Sequence, residues 1–366
     1  MTLRVLEVRD FRNLARVDLP LPPEGIAVVG DNGHGKTSLL EAIYYLHVLR
    51  SMRGAHDADV VKFGAPAFHV RAQTSREVGI GYERATKRKR VTLDGVEPAR
   101  LTDALGAVPS VMFSPADVAL VRGAPGERRR FLDIMLGVTS QPYLRSLQAY
   151  RAALARRNAA LRSGGPVAVW EPPLAHHGAI IWRERVAWVS DSAPALARLA
   201  AAIGELGPVG ARYSSTLGEA SGEASGEASN LDAERVLADA LAEGRAHDIR
   251  RGMTRVGVHR DDLVLSLEGH DLRTFGSAGQ QRTVAIALRM LEAETLEQRI
   301  GVAPVFLLDD PFAELDVERA RRILALLRER GRGQTVLTVP RAGDIPAELT
   351  TLERWRARSG AITRDG

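Results

Sequence analysis

The stretch Gly30-Asp31-Asn32-Gly33-His34-Gly35-Lys36-Thr37 carries the residue types of a phosphate-binding loop. Glycines at 30, 33 and 35 let backbone N–H groups close around an anion, and a helix starting at the end of the loop adds its dipole. Lys36 is spaced to reach β- and γ-phosphates and Thr37 to ligate Mg²⁺, with Asn32 and Ser38 beside them. Far downstream, four apolar residues from Val305 run into Asp309 and Asp310. A buried strand of this kind delivers both carboxylates to the C-terminal edge of a sheet, where a phosphate loop also lies. Asp309 then suits Mg²⁺, directly or through water, and Asp310 suits orienting or deprotonating an attacking water. By itself the pair is a solvated acid pair at a strand end; beside a phosphate loop it reads as machinery for ATP hydrolysis. A third stretch, Gly276-Ser277-Ala278-Gly279-Gln280-Gln281-Arg282, opens a helix and offers a hydroxyl and backbone N–H groups as an anion cradle. Alone it is an ordinary helix cap. Ser277 stands 240 positions after Thr37, which raises the question of whether one ATP site uses both.

The elements that must position these residues are legible in the periodicity. Near-alternation over 3–11 and an apolar run at 25–30 predict strands before the loop. Leu39, Leu40, Ile43, Leu46 and Leu49 keep helical spacing after it. Short strands are expected within 67–113, then a helix with Ser114 as N-cap and Pro115 first. The pattern from 125 to 205 is helical. Leu144, Leu147, Leu154 and Leu161 stand at heptad spacing, with Arg151 and Asn158 on the remaining seam positions; two polar seam residues argue against a long coiled coil. A second helix over 171–203 would pair with the first as an antiparallel arm. Residues 218–229 repeat Gly-Glu-Ala-Ser three times, which predicts a disordered surface loop with no function of its own. Helical character returns at 232–243. The last third alternates: a hairpin around Glu268-Gly269, the 276–282 loop into a helix, the strand ending in Asp309, a helix ending at Gly331, and a buried strand over 334–339. Alternation of this kind implies a parallel sheet covered on both faces.

Composition narrows the setting. The 366 residues allow two domains, or one split by an insertion. There is no cysteine, which excludes disulfides, cysteine zinc sites and thiol catalysis, and suits a reducing cytoplasm. No apolar run approaches the about 18 residues of a membrane span, and the first ten residues carry charge where a signal peptide has its apolar centre. A soluble, cytoplasmic protein is expected. A net charge of +5 and a pI near 9.8 suit a polyanionic partner, while 5% aromatics offer no obvious stacking platform.

The stretch Asp309 to Asp316 resembles the Walker B motif and D-loop of ABC-type ATPases, and residues 277–282 resemble their signature motif. In that superfamily the signature of one subunit caps the ATP held by the other. The resemblance therefore implies that Ser277 and Gly279, with Gln280, face the γ-phosphate across a homodimer. Transporter ATPases have a short gap between the two motifs, and SMC-like proteins have hundreds of coiled-coil residues. Here further stretches point elsewhere: Phe11-Arg12-Asn13, 30–43, 113–133, 170–185, 257–263 and 277–282 together resemble the RecF family of bacterial recombinational repair ATPases, over nearly the whole chain. The resemblance implies that Arg12 and Asn13 touch nucleotide and that Lys36, Thr37 and Asp309 serve phosphate and Mg²⁺. It implies ATP-driven dimerisation on double-stranded DNA near single-strand junctions, and help to RecO and RecR in loading RecA. Asp310 stands where many ABC ATPases have glutamate; the shorter side chain suits slow hydrolysis. The pattern departs from the superfamily in lacking a switch histidine, with Thr338 standing near its place, and a recognisable Q-loop glutamine. The motif 257–263 carries no assigned role; locally it is a strand-entry turn with satisfied charges.

Arg84, Lys87, Arg88, Lys89 and Arg90 surround a hairpin turn. They read equally as contacts to DNA phosphates and as charges that blunt a sheet edge. Arg145, Arg151, Arg156, Arg157 and Arg162 read as a solvated helix face, with an arm lying along duplex DNA as the alternative. Nothing suggests base readout, so any DNA binding should be backbone-dominated and salt-sensitive. The expected architecture is α/β: an ABC-type (SMC-like) ATPase head, residues 1–120 plus 256–366, with an inserted, mostly helical arm at 121–255. The alternatives are a transporter ATPase subunit, an SMC-like head, and a clamp that binds ATP without turning it over.

Overall fold

The first strands fold back on themselves. β1 (Val5–Phe11) and β2 (Leu14–Pro20) pair antiparallel across a turn at Arg12-Asn13, where Arg12 takes φ 55°. The coordinates are a computed structural model that describes residues 2–216, 230–312, 315–329 and 333–365. The Gly-Glu-Ala-Ser repeat, Ala313, Glu314 and Gly331 lie outside the described residues. β3 (Gly25–Val29) is buried along its length, and the phosphate loop connects it to α1 (Lys36–Val48). After the short α2 (Asp57–Val60) come β4 (Ala67–Gln73), β5 (Glu77–Glu83) and β6 (Arg88–Leu93), which complete an antiparallel sheet in the order β2-β1-β4-β5-β6. β7 (Ser110–Phe113) belongs to a second sheet.

The chain then builds a separate, mostly helical unit. It contains α3 (Ala119–Arg122), α4 (Pro125–Thr139), α5 (Gln141–Ser163), α6 (Glu171–Ile203), β8 (Val209–Ser214), α7 (Asn230–Arg251), β9 (Asp262–Leu267), β10 (His270–Asp271), α8 (Leu272–Phe275) and the start of α9 (Ala278–Ile300). Beyond α9, β11 (Val305–Asp309), α10 (Val317–Glu329), β12 (Thr335–Val339), β13 (Glu353–Arg358) and β14 (Ala361–Arg364) finish the second sheet, order β14-β13-β3-β12-β11-β7. All its pairings are parallel except β13 with β14. The C-terminal hairpin escapes the sequence reading, because its alternating Arg and apolar residues carry charge into a sheet that otherwise reads as buried runs.

Two compact units result: residues 1–117 with 292–366, and residues 118–291. The sequence suggested breaks at 120/121 and 255/256. The second falls later because β9 pairs with β8 and because Arg128 of α4 grips Asp262 through two hydrogen bonds of 2.7 Å. Residues 257–263 are held throughout. Arg185 donates to the Val258 carbonyl at 2.9 Å, His259 Nδ1 meets the Tyr150 hydroxyl at 2.7 Å, and Tyr213 donates to Asp261 at 2.9 Å.

The α5 seam differs from the leucine heptad. Its buried face is Tyr143, Leu147, Tyr150, Ala153, Arg157 and Leu161, whereas Arg151 is exposed and pairs with Asp133 at 2.7 Å. Arg157, which the helical pattern assigns to a solvated face, is fully buried. A guanidinium can sit in a core only where its N–H groups are matched. Here Asp248 lies at 2.7 Å, Thr254 Oγ1 at 2.9 Å and Glu171 at 3.0 Å.

In the first unit His47 is wholly buried on α1, with neither ring nitrogen hydrogen-bonded. Burial pushes its pKa down to about 4. Below the ordinary value near 6.5 the unfolded chain takes a proton that the native core refuses, so stability falls as pH drops from 6.5 towards 4. Lowering the pH from 7 to 5 should cost about 2 kcal/mol through this group alone. His47→Leu should remove that part of the pH dependence in urea titrations; an unchanged slope would show the ring is solvated.

Candidate active site

The phosphate loop is built as a backbone device. Gly35 sits at φ 106°, and a Cβ there would lie 2.8 Å from Leu14 Cδ2; a Cβ at Gly30 would lie 2.4 Å from the Ala357 carbonyl oxygen. Neither position admits a side chain without strain, so the backbone itself forms the surface of the loop there. Asn13 Nδ2 donates to the Gly33 carbonyl at 2.8 Å and Gly360 N to the His34 carbonyl at 3.1 Å, so the β1–β2 turn and the C-terminal hairpin brace it. Asn32 is exposed at its tip and Ser38 half-buried on the first turn of α1.

Lys36 lies over the mouth of the loop, donating to the carbonyls of Gly30 and, at 3.0 Å, Asp31. Burial holds its pKa below the ordinary lysine value, against the opposing charges of Asp309, Asp310 and Asp31. β11 brings Asp309 to the same place. Thr37 Oγ1 donates to Asp309 Oδ2 at 2.9 Å, and Thr338 Oγ1 donates to Asp309 Oδ1 at 2.7 Å. Two hydroxyls from neighbouring elements thus fix the carboxylate at the carboxyl end of the parallel sheet. Asp310 follows with φ 46°, its N–H donating to the Thr338 carbonyl at 2.9 Å. A non-glycine residue at positive φ is uncommon and turns the second acid away from the line of the strand.

The Thr37 and Asp309 oxygens suit Mg²⁺, a hard cation that takes oxygen ligands. Among the described residues no three His, Asp or Glu side chains gather as a metal cage. This fits an ion that takes its remaining ligands from phosphate and water. In the sequence Thr338 stands out only as lying near a missing histidine. Buried on β12, it instead holds Asp309. Thr338→Val removes the hydroxyl alone. The Mg²⁺ needed for half-maximal binding of a fluorescent ATP analogue should rise about tenfold, with Thr338→Ser restoring it. Unchanged Mg²⁺ dependence would leave Thr338 a packing residue.

Arg12, next to Asn13 in the turn, is held by its own set of partners. It makes a two-pronged pair with the fully buried Glu41 of α1 (3.0 and 2.8 Å) and reaches Ser51 Oγ at 3.2 Å and the Asp59 carbonyl at 3.1 Å. Glu41 and Ser51 escaped the sequence reading. The available signal was a glutamate within the otherwise apolar face of α1.

The second unit carries Ser277 at the start of α9. Its Oγ accepts from Gln280 N at 3.3 Å, and its own N–H donates to Gln280 Oε1 at 2.8 Å, a reciprocal capping box. Gln281 Nε2 anchors the turn to the Leu272 carbonyl at 2.9 Å. Ser277 is exposed and Gly279 half-exposed, so the start of a 23-residue helix faces outward. Of the hairpin cations, Lys89 is not free for a partner. Its ammonium bonds Asp57 at 2.7 Å and the Leu49 carbonyl at 2.8 Å, 5.3 Å from the centre of the Tyr45 ring. Arg88 and Arg90 each lie 3.6 Å from Glu97, and Lys87 is exposed at φ 52°.

Comparison with known proteins identifies the family and the fold. The family model of the RecF/RecN/SMC N-terminal domain matches residues 2–345. The DNA replication and repair protein RecF of Chloroflexus aggregans is 37% identical, with 99% of each chain covered. RecF of Anaeromyxobacter dehalogenans is likewise 37% identical over 99% of each. The solved structure of the recombination mediator protein RecF-ATP of the RecFOR pathway superposes with a TM-score of 0.89 at 27% identity, covering 100% of this chain and 98% of that one. An Smc head bound to the C-terminal winged-helix domain of ScpA shares the fold at a TM-score of 0.54 and 16% identity. The architecture is thus an α/β ABC-type, SMC-like ATPase head with an inserted helical arm, and the chain belongs to the RecF family.

Proposed function

We propose that this chain is an ATP-dependent DNA clamp of recombinational repair. The observation that carries the reading is Asp309, fixed by Thr37 and Thr338 at the sheet edge beside the phosphate loop. In this reading the loop amides and Lys36 bind the ATP phosphates, Thr37 and Asp309 hold Mg²⁺, and Asp310 orients the attacking water. Mg²⁺ supplies charge neutralisation on the transferred phosphate. Ser277, Gly279 and Gln280 of a second copy cap the γ-phosphate, with Asn13 and Arg12 on the nucleotide side. Two heads joined by two ATP molecules close on duplex DNA, and hydrolysis removes the interactions that hold them together. ATP can favour closure only by binding the dimer better than the monomer. The named relatives act in DNA replication and repair and in the RecFOR pathway. By that likeness the clamp works in the cytoplasm at junctions of single- and double-stranded DNA, with RecO and RecR as partners and RecA loading downstream. The arm and the head would divide this work, the arm corresponding to the mostly helical unit of residues 118–291.

The test is ATP hydrolysis per protomer against protein concentration, with and without duplex DNA. A specific rate that rises with concentration, and again with duplex, is expected. A rate flat in both would mean that each chain acts alone and that residues 276–282 are an ordinary cap. No measurable turnover, together with ATP-dependent dimerisation, would favour the clamp that uses ATP only as a bond, which the aspartate at 310 allows.

A further inference from the structure

The end of α7 and the loops after it gather four arginines. Arg250 and Arg251 close the helix, Arg255 follows the turn at Gly252, and Arg260 stands in the 257–263 loop. All four are exposed, and among the described residues none of their guanidiniums has a carboxylate within ion-pair distance. Elsewhere some surface arginines are paired, such as Arg16 with Asp18 and Arg356 with Asp365, and others are not; what sets these four apart is that they lie close together in two adjoining loops and a helix end. Cations in the last turn of a helix offset its dipole. That accounts for Arg250 and Arg251, but not for Arg255 and Arg260 beyond the helix end.

The backbone that presents them is pinned from beneath. Buried Asp248 accepts from Arg157 at 2.7 Å and from Arg255 N at 3.2 Å. Asn158 Oδ1 accepts from both the N–H and the hydroxyl of Thr254 at 2.8 Å. The Thr254 carbonyl then meets His259 Nε2 at 3.2 Å and Arg260 Nη2 at 3.3 Å, drawing the second loop onto the first. The stem of Arg162 lies alongside, its Cγ 3.7 Å from where a Cβ of Gly252 would stand. His247 lies one turn before them; burial and then the charges of Arg255, Arg250 and Arg251 lower its pKa, against the charge of Asp248. Ile249 and Met253 are about half exposed between them, at 54% and 44%. An ordered scaffold thus holds like charges together, with no acid among the described residues paired to them. Such crowding is relieved by a partner that brings regularly spaced anions.

We propose that this arginine platform is a contact surface for the phosphate backbone of duplex DNA, in addition to or in place of the β5–β6 hairpin. The assignment rests on the DNA-clamp reading and gives it a location. Arginine suits phosphate through its planar fork of donors, and a fixed loop loses little freedom on binding. The hairpin is the weaker candidate, since Lys89 is bonded internally and Arg88 and Arg90 face Glu97.

The experiment measures binding of a short fluorescein-labelled duplex, with ATP present, across a salt series. It compares the natural chain, an Arg250→Ala/Arg251→Ala/Arg255→Ala/Arg260→Ala variant, and a Lys87→Ala/Arg88→Ala/Arg90→Ala variant. Asp248, Arg157, Thr254 and Asn158 stay in place and only the Arg260 hydrogen bond to the Thr254 carbonyl is lost, so the thermal midpoint should fall by a few degrees at most and binding of a fluorescent ATP analogue should be unchanged. The platform variant should bind at least tenfold more weakly at low salt. The slope of log affinity against log salt should fall by up to about 3.6, about 0.9 for each of four phosphates no longer neutralised. Equal affinity and slope in the platform variant would overturn the assignment while leaving the clamp reading intact. Loss confined to binding of polyglutamate, with duplex binding kept, would overturn it in favour of an acidic protein. Absence of duplex binding by the natural chain itself would overturn the clamp reading, and this surface with it.

Discussion

If two copies share the ATP site as proposed, Ser277→Arg should weaken ATP-dependent dimerisation about a hundredfold and leave nucleotide binding by the single chain intact. The expectation follows from where the residue sits. Ser277 is the N-cap of α9, exposed, and bonded only within its own turn. The first N–H groups of a helix this long, with its positive end, form an anion cradle. An arginine there places a bulky side chain across the cradle. Loss of the cap costs the helix about 1 kcal/mol, too little to unfold a chain anchored by Gln281 on the Leu272 carbonyl. The loop, Lys36, Thr37 and Asp309 lie in the other unit and are untouched. Sedimentation with and without ATP should show the natural chain shifting to dimer and the variant remaining monomeric. The apparent dimer affinity should weaken about a hundredfold, roughly the 3 kcal/mol of a charge-assisted hydrogen bond removed from one partner only. A fluorescent ATP analogue should bind both alike. A variant that dimerises normally would sink the shared-site reading and return residues 276–282 to a simple capping role.

What was legible from sequence divides along a physical line. The phosphate loop, the paired aspartates and the signature-like cap were readable because their chemistry is local. Glycines at fixed offsets, a carboxylate at the end of an apolar run, and a serine three residues before a glutamine each state their geometry within a few residues. The parallel sheet followed from the same short runs. What was missed depends on partners far apart in the chain. Thr338 sits 29 residues from the carboxylate it holds, Glu41 the same distance from Arg12, and Arg157 lies 91 residues from Asp248. A guanidinium on a helix reads as solvent-facing until its acid is located. The hairpin erred the other way: Lys89 looked available because Asp57 and the Leu49 carbonyl are distant in sequence. The leucine heptad misled because the buried face runs one position ahead of it: Tyr143, Tyr150, Ala153 and Arg157 are buried where Leu144, Arg151, Leu154 and Asn158 are not.

Arg157 also carries the largest expected stability effect. Its guanidinium meets Asp248, Thr254 and Glu171 in a region from which water is excluded. Methionine in its place would fill much of the volume but leave Asp248, 1% exposed, without its charged partner and with the Arg255 N–H still donating to it. Glu171 keeps Arg245, which grips both its oxygens at 2.9 and 2.6 Å. Stranding a buried carboxylate costs about 3–5 kcal/mol. Arg157→Met should therefore lower the thermal midpoint of the second unit by about 10 °C while the first unit melts as before. The double variant Arg157→Met/Asp248→Leu separates the causes. If the penalty comes from the stranded charge, the second substitution recovers most of it, since a buried ion pair contributes little over apolar residues of similar size. If the double variant is as unstable as the single, the loss lies in packing and in the turn that Asp248 holds. Because that turn presents Arg255, the double variant should melt near the natural temperature yet bind duplex DNA more weakly, an outcome that tells scaffold from surface.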